Sequence, residues 1–305
     1  METNGKFKGE LAHFIANARY DFQEVRKSTM NRLRGVLVSN IEGWGYSVPK
    51  TKEDEEKSFG KEWTDERIEE KIQLALIEKK ITEDEFEFLQ KIREAAAKFE
   101  KEEKEYEKLF APFCDKWSVW SKWLSRIRGI GRVHALNLYQ LNCANFPTIS
   151  KLWAYCGYHV VDGQAPKRKS GEKVNWNMYA RSRVWNIAKS LIRTKGKGYG
   201  LYLKFKEEVR AKHPIPICMT CGGEVKQKGL SWRCINDKEN KRTHLLKWTP
   251  AHVDAYAIRK LAKVFLSCYW RVARQEAGLP ISQPYIIGKG EHEHIIEPRD
   301  FVDDV

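Results

Sequence analysis

Three cysteines and a histidine are spaced for metal chemistry: Cys218, Cys221, Cys234 and His244 form a C-x2-C-x12-C-x9-H series. A close thiolate pair can hold one side of a tetrahedral zinc ion, and a later cysteine and histidine can close a Cys3His shell. A closed shell leaves no position for a reacting water, so the expected role of zinc is structural. His213 and His252 are the other candidates for the fourth ligand. Gly222 and Gly223 let the chain turn away from the first cysteine pair. His292 and His294 could also chelate, but a solvated polar tail explains that run better.

A second chemistry centres on Ser170, which stands in the basic stretch 167–173, KRKSGEK. Lys167, Arg168, Lys169 and Lys173 can hold a phosphodiester beside the hydroxyl. Attack on phosphorus also needs a base or a metal-assisted environment, and no histidine stands nearby in sequence. Cys156 lies in an apolar stretch and is expected to be a core residue rather than a nucleophile.

The third pattern is Gly129-Ile130-Gly131, inside 124–141, LSRIRGIGRVHALNLYQL. The apolar spacing of Ile127, Ala135 and Leu138 predicts two short helices packed across a tight turn. Glycine at both ends permits dihedrals and close approaches that a side chain would obstruct. The following helix begins with N–H groups that have no partner within it, where a phosphate can accept them. Arg126, Arg128, Arg132 and His134 surround the turn. This is a helix-hairpin-helix pattern, which contacts a nucleic-acid backbone without reading bases.

Charge distribution points the same way. The 305-residue chain carries a formal +14. Residues 121–212 hold 19 Lys plus Arg against 4 Asp plus Glu, a difference of +15. Residues 50–110 hold 14 against 20, a difference of −6. The first region is equipped to meet a polyanion and the second is not. No run of 18 apolar residues and no signal-peptide segment is visible, so a soluble cytoplasmic or nucleoid-associated protein is expected, with no membrane partner. Seven cysteines, with one metal-like cluster among them, suit a reducing compartment.

The elements that must carry these groups are mostly helical. A helix is predicted over about Phe7–Asn40, docked by an apolar stripe, with Arg19, Arg26, Lys27, Arg32 and Arg34 on its other faces. A linker follows over Glu42–Gly60. Thr64 can cap the next helix, and Thr82 with Glu85 signals a capping box for another that Pro112 ends or offsets. These two predict a helical hairpin or a dimerising coiled coil. Residues 175–194 return to helix, with Arg181, Arg183, Lys189 and Arg193 as a basic surface and Lys195–Gly200 as a flexible turn. Pro250 opens a long final helix.

The order of these stretches, with LWAYCGYHV, KRKSGEK, NWNMYARSRVWNIAKSL and AYAIRKLAKVFLSCYW, resembles the C-terminal portion of the bridge-RNA-guided insertion-sequence transposases. The likeness covers about Thr64–Ala273, with the cysteine cluster as an insertion. It implies double-stranded DNA recognition, self-association through the helical hairpin, a possible RNA guide, and Ser170 as the family's candidate nucleophile. Members of that family also carry an acidic, magnesium-binding nuclease-like domain, and no such α/β pattern is legible in residues 1–60.

The expected fold is therefore mainly α: a helix-hairpin-helix DNA-binding core, a long helical hairpin and an inserted small zinc-binding β module. Its segments are 1–60, 61–112, 113–212, 213–248 and 249–305. The expected function is sequence-nonspecific or shape-selective duplex DNA binding by a nonenzymatic transposase relative. The alternatives are a Ser170-dependent recombinase or nuclease that uses magnesium with a partner, and an RNA-binding structural protein.

Overall fold

A computed structural model describes residues 2–41, 65–161, 163–168, 170–228, 231–237, 244–282 and 296–303. The linker 42–60, the Thr64 cap, Lys169 and the His292–His294 run lie outside the described residues. The chain divides into two compact units, one of Met1–His13, Phe110–Ile217 and Lys247–Val305, the other of Phe14–Leu109 and Cys218–Leu246.

The described residues are mainly helical. In order they form α1 (Glu2–Ile41), α2 (Asp65–Ile77), α3 (Glu83–Asp115), α4 (Ser118–Lys122), α5 (Arg132–Tyr139), α6 (Ile149–Tyr155), α7 (Met178–Arg193), α8 (Lys197–Lys212) and α9 (Pro250–Glu276). Four short strands, β1 (Ile217–Cys218), β2 (Val225–Lys228), β3 (Ser231–Cys234) and β4 (Leu246–Lys247), make two two-stranded sheets. No described helix is long and apolar enough to cross a membrane.

In the unit that includes Phe14–Leu109, the capping box forms as its residues predict: Glu85 N–H donates to Thr82 Oγ1 at 3.2 Å, and Thr82 N–H donates to the Glu85 carboxylate at 2.8 Å. The apolar faces of α2 and α3 (Ile68, Ile72, Leu89, Ala96) pack with Met30, Leu33 and Leu37 of α1 in one buried cluster. The seam that a coiled-coil homodimer would use is thus covered by a helix of the same chain. Two of the basic residues on α1 are likewise engaged. Arg19 reaches Glu107 at 2.7 Å, and Arg26 reaches the buried Glu103 at 2.6 Å. Such pairs specify which faces of α1 and α3 meet, because separating them strands charge away from water.

The other unit is built on α9, whose 27 residues span about 40 Å. Ala257, Leu261, Phe265, Cys268 and Tyr269 enter its main core beside Leu138, Leu152, Val184 and Leu191. Polar tips of its aromatics find backbone partners: Tyr269 Oη donates to Leu138 O at 2.6 Å and Trp270 Nε1 to Phe146 O at 2.7 Å. The same core takes in Phe301 from a 3-10 turn, Pro298–Phe301. Pro112 does not end α3. It sits in the last turn, which the buried Phe110 and Cys114 hold in place. The basic turn before α8 is also shorter than expected, since helix begins at Lys197.

Candidate functional site

The metal-ligand series converges in space. The ligand atoms of Cys218, Cys221, Cys234 and His244 all lie within 4.8 Å of one another. Cys221 Sγ is 3.6 Å from Cys218 Sγ and 3.4 Å from Cys234 Sγ; His244 Nδ1 is 3.4 Å from Cys218 Sγ and 3.5 Å from Cys221 Sγ. A tetrahedral zinc ion has S···S edges of ~3.8 Å and S···N edges of ~3.6 Å. The four edges given are close to these lengths, and the other two lie within 4.8 Å, so the group could hold a metal ion. His252 is otherwise engaged: its Nδ1 accepts from Trp248 N–H at 3.0 Å. His213 stacks on the Trp248 ring at 3.7 Å.

Local backbone turns hold the sulfurs. The β2–β3 hairpin pairs Val225 with Cys234, which fixes the third thiol. Gly222 has φ +67°, and a Cβ on Gly223 would meet Asn236 Nδ2 at 2.4 Å, so both glycines serve the turn. Gly223 N–H and Asn236 Nδ2 donate to Cys221 Sγ at 3.4 and 3.5 Å. Burial opposes ionisation of Cys218, but N–H groups of Cys221 and Thr220 outweigh it and draw that thiol down to about 6. Cys234 is pushed up to about 11 by burial, which the Asn236 N–H opposes, and by the adjoining Cys221 and Cys218 sulfurs. Thiolates crowded this closely repel one another, and a bound cation removes that repulsion.

The glycine turn is built differently from two equal helices. Its first arm is the five-residue α4 and a 3-10 turn, Leu124–Arg126; its second is α5, eight residues long. Gly129 has φ +95°, and a Cβ there would meet Thr194 Oγ1 at 2.6 Å. Ser190 Oγ donates to Gly129 O at 2.8 Å, and Thr194 Oγ1 to Arg128 O at 3.2 Å. Gly131 is extended, has open space around its missing Cβ, and heads α5 without a side-chain cap.

An unforeseen residue secures the turn. The Asp303 carboxylate accepts from Arg128 N–H and Lys197 N–H, both at 2.8 Å, while Asp303 N–H donates to Arg126 O at 3.1 Å. Its signal in sequence is no more than a terminal acid, so spacing could not have nominated it. Gly196 clears room for it, because a Cβ would stand 2.6 Å from that carboxylate.

Most nominated basic residues are exposed, and one is buried. Arg126, Arg128, Arg132, Lys167, Arg168, Lys173, Lys189 and Arg193 reach solvent, and His134 is half-buried. Arg132 also meets Asp115 at 2.9 Å, an exposed pair that is easily exchanged. Arg183 departs from expectation. It falls on the inward face of α7, only 8% exposed, and donates to the Gln140 side chain, so it is not part of the basic surface. Arg181 is half-buried. Ser170 is exposed. The Cys3His set is the only group of three or more metal-ligating residues among those described. Cys156 is fully buried, and burial pushes its thiol up to about 12, as suits a core residue. No family model, curated protein or solved structure matches the chain.

Proposed function

We propose that this protein binds double-stranded DNA through its phosphate backbone, as a nonenzymatic relative of the bridge-RNA-guided transposases, and that zinc in the Cys3His centre stabilises it. The observation that carries the DNA reading is the turn itself. Exposed Arg126, Arg128 and Arg132 gather where α5 begins at an uncapped glycine with open space above it. A phosphate can approach that backbone closely and meet both the helix N-terminus and the guanidinium groups.

Binding of unrelated duplexes should weaken steeply with salt. Each phosphate contact contributes a slope of about 0.9 in log affinity against log salt, so Arg128→Gln with Arg132→Gln should reduce the slope by about 2 on every duplex. Unchanged binding by this folded double variant would remove the turn as the contact. With magnesium, the protein should neither cleave nor covalently trap DNA. A trapped adduct lost on Ser170→Ala would instead establish the recombinase reading.

For the metal, elemental analysis of purified protein should give zinc at one per chain. Chelation, or Cys221→Ser, should loosen residues 218–246 in hydrogen exchange while α7 and α9 stay protected. Stoichiometric absence of zinc with that segment equally protected would reject the assignment.

A further inference from the structure

His252, Tyr256, Arg259 and Lys263 follow one another along α9 at helical spacing and so share one face. Arg181 of α7 and His159, just beyond α6, lie against this face. Arg259 donates to the carbonyls of Gly157 and His159 at 3.1 and 2.7 Å, and its guanidinium stands 5.3 Å from the Tyr158 ring. Lys263 Nζ sits 4.0 Å above the Trp153 ring. Arg181 donates to Pro166 O at 3.2 Å and lies 5.1 Å from the Trp176 ring.

These cations are held by carbonyl dipoles and ring faces, and none of Arg181, Arg259 and Lys263 forms an ion pair with a carboxylate among the described residues. His159 Nδ1 is buried without a hydrogen-bond partner there. The groups raise the cost of one another's charge. Burial first, and then Arg259, Arg181 and Lys263, lower the His159 pKa; burial and then Arg259 lower that of Lys263. A half-buried group of like charges without an acid is unfavourable for folding alone and is suited to an anion. Donors remain for one. Arg259 spends two of its five N–H groups on carbonyls, and the Lys263 ammonium has no protein acceptor among the described residues.

The stripe's length indicates the kind of anion. From Tyr256 to Lys263 the helix rises about 10 Å, more than one phosphate occupies and suited to a repeating one. Tyr256, 42% exposed within the stripe, adds an aromatic face.

We propose that Arg181, Arg259 and Lys263 form a second backbone-binding stretch that takes successive phosphodiester groups of a nucleic-acid strand. It rests on the nucleic-acid reading above but uses residues other than those of the Gly129 turn.

The test compares the whole protein, the Arg128→Gln/Arg132→Gln variant, an Arg181→Gln/Lys263→Gln variant and its charge-retaining counterpart, Arg181→Lys/Lys263→Arg. Each is titrated with a short duplex and with a single strand of the same sequence across a salt series. The glutamine pair at the stripe should lower the salt slope by about 2, and the charge-retaining pair should restore most of it. Loss on both ligands identifies duplex and strand as sources, and loss on the single strand alone identifies a strand; either supports the stripe. Loss at the stripe with none at the Gly129 turn supports it and rejects the turn. Loss at the turn with an unchanged slope at the stripe overturns the inference while leaving the DNA reading intact. No binding of either ligand by the unaltered protein overturns both.

Discussion

Gly129 and Gly131 look equivalent in sequence and differ in what they do. At Gly129 a side chain meets both a left-handed backbone, φ +95°, and Thr194 Oγ1. Gly129→Ala should therefore destabilise the fold by about 1–3 kcal/mol, read as a lower midpoint in denaturant. At Gly131 an added methyl meets no protein atom within 4 Å, and the backbone is extended. Gly131→Ala should leave the midpoint nearly unchanged and, if the proposed contact is made there, weaken duplex binding, because the methyl enters the open space that a phosphate would need. Equal stability losses for the two substitutions would contradict this division. The arginines make the same point: Arg181 and Arg183 both stand on α7, yet Arg183 turns inward to Gln140 while Arg181 covers Trp176.

Among elements, the short C-terminal segment 296–303 is the least expected contributor. Phe301 packs edge-on against Phe265 at 5.4 Å, Trp123 Nε1 donates to Pro298 O at 2.8 Å, and Asp303 bridges the backbone before Gly129 to the start of α8. The carboxylate also complements the positive end of α8. Asp303→Ala should expose the Arg128 and Lys197 amides, seen as faster hydrogen exchange at 126–130 and 195–199 and a loss of about 1–3 kcal/mol. Exchange unchanged at both places would mean that the bridge does not brace the turn. Helices α1, α2 and α3 carry the complementary lesson. Their apolar stripes are legible one by one, but only their packing shows that α1 covers the seam of the other two.

At the scale of the molecule, two half-buried histidines make stability depend on pH. His159 and His252 both have lowered pKa values, by burial first and then by neighbouring cations: Arg259, Arg181 and Lys263 for His159, Lys247 and Lys167 for His252. In the unfolded chain each takes up a proton near its ordinary value of about 6.5, whereas the folded protein resists it. The unfolded state then binds more protons, so stability is full above about pH 6.5 and is lost as pH falls toward the lowered folded values. Thermal midpoints measured from pH 7.5 to 5 should fall, and His159→Gln should flatten part of that fall. A midpoint that rises on acidification would refute the assignment.

Sequence alone determined what depends on local spacing. The cysteine spacing named the three thiols that converge, the Thr82–Glu85 capping box marks a helix start, and the charge counts separated a basic region from an acidic one. These are effects of neighbours a few residues apart, where chain geometry leaves few alternatives. Tertiary structure decided what depends on residues far apart in the chain. It selected His244 over His213 and His252, buried Arg183, carried Asp303 to the Gly129 turn, and gathered His159, Arg181, Arg259 and Lys263 without an acid among the described residues. A side chain's charge is written in the sequence. Its desolvation and its partners are set by packing, and they determine whether that charge stabilises the fold or awaits a ligand.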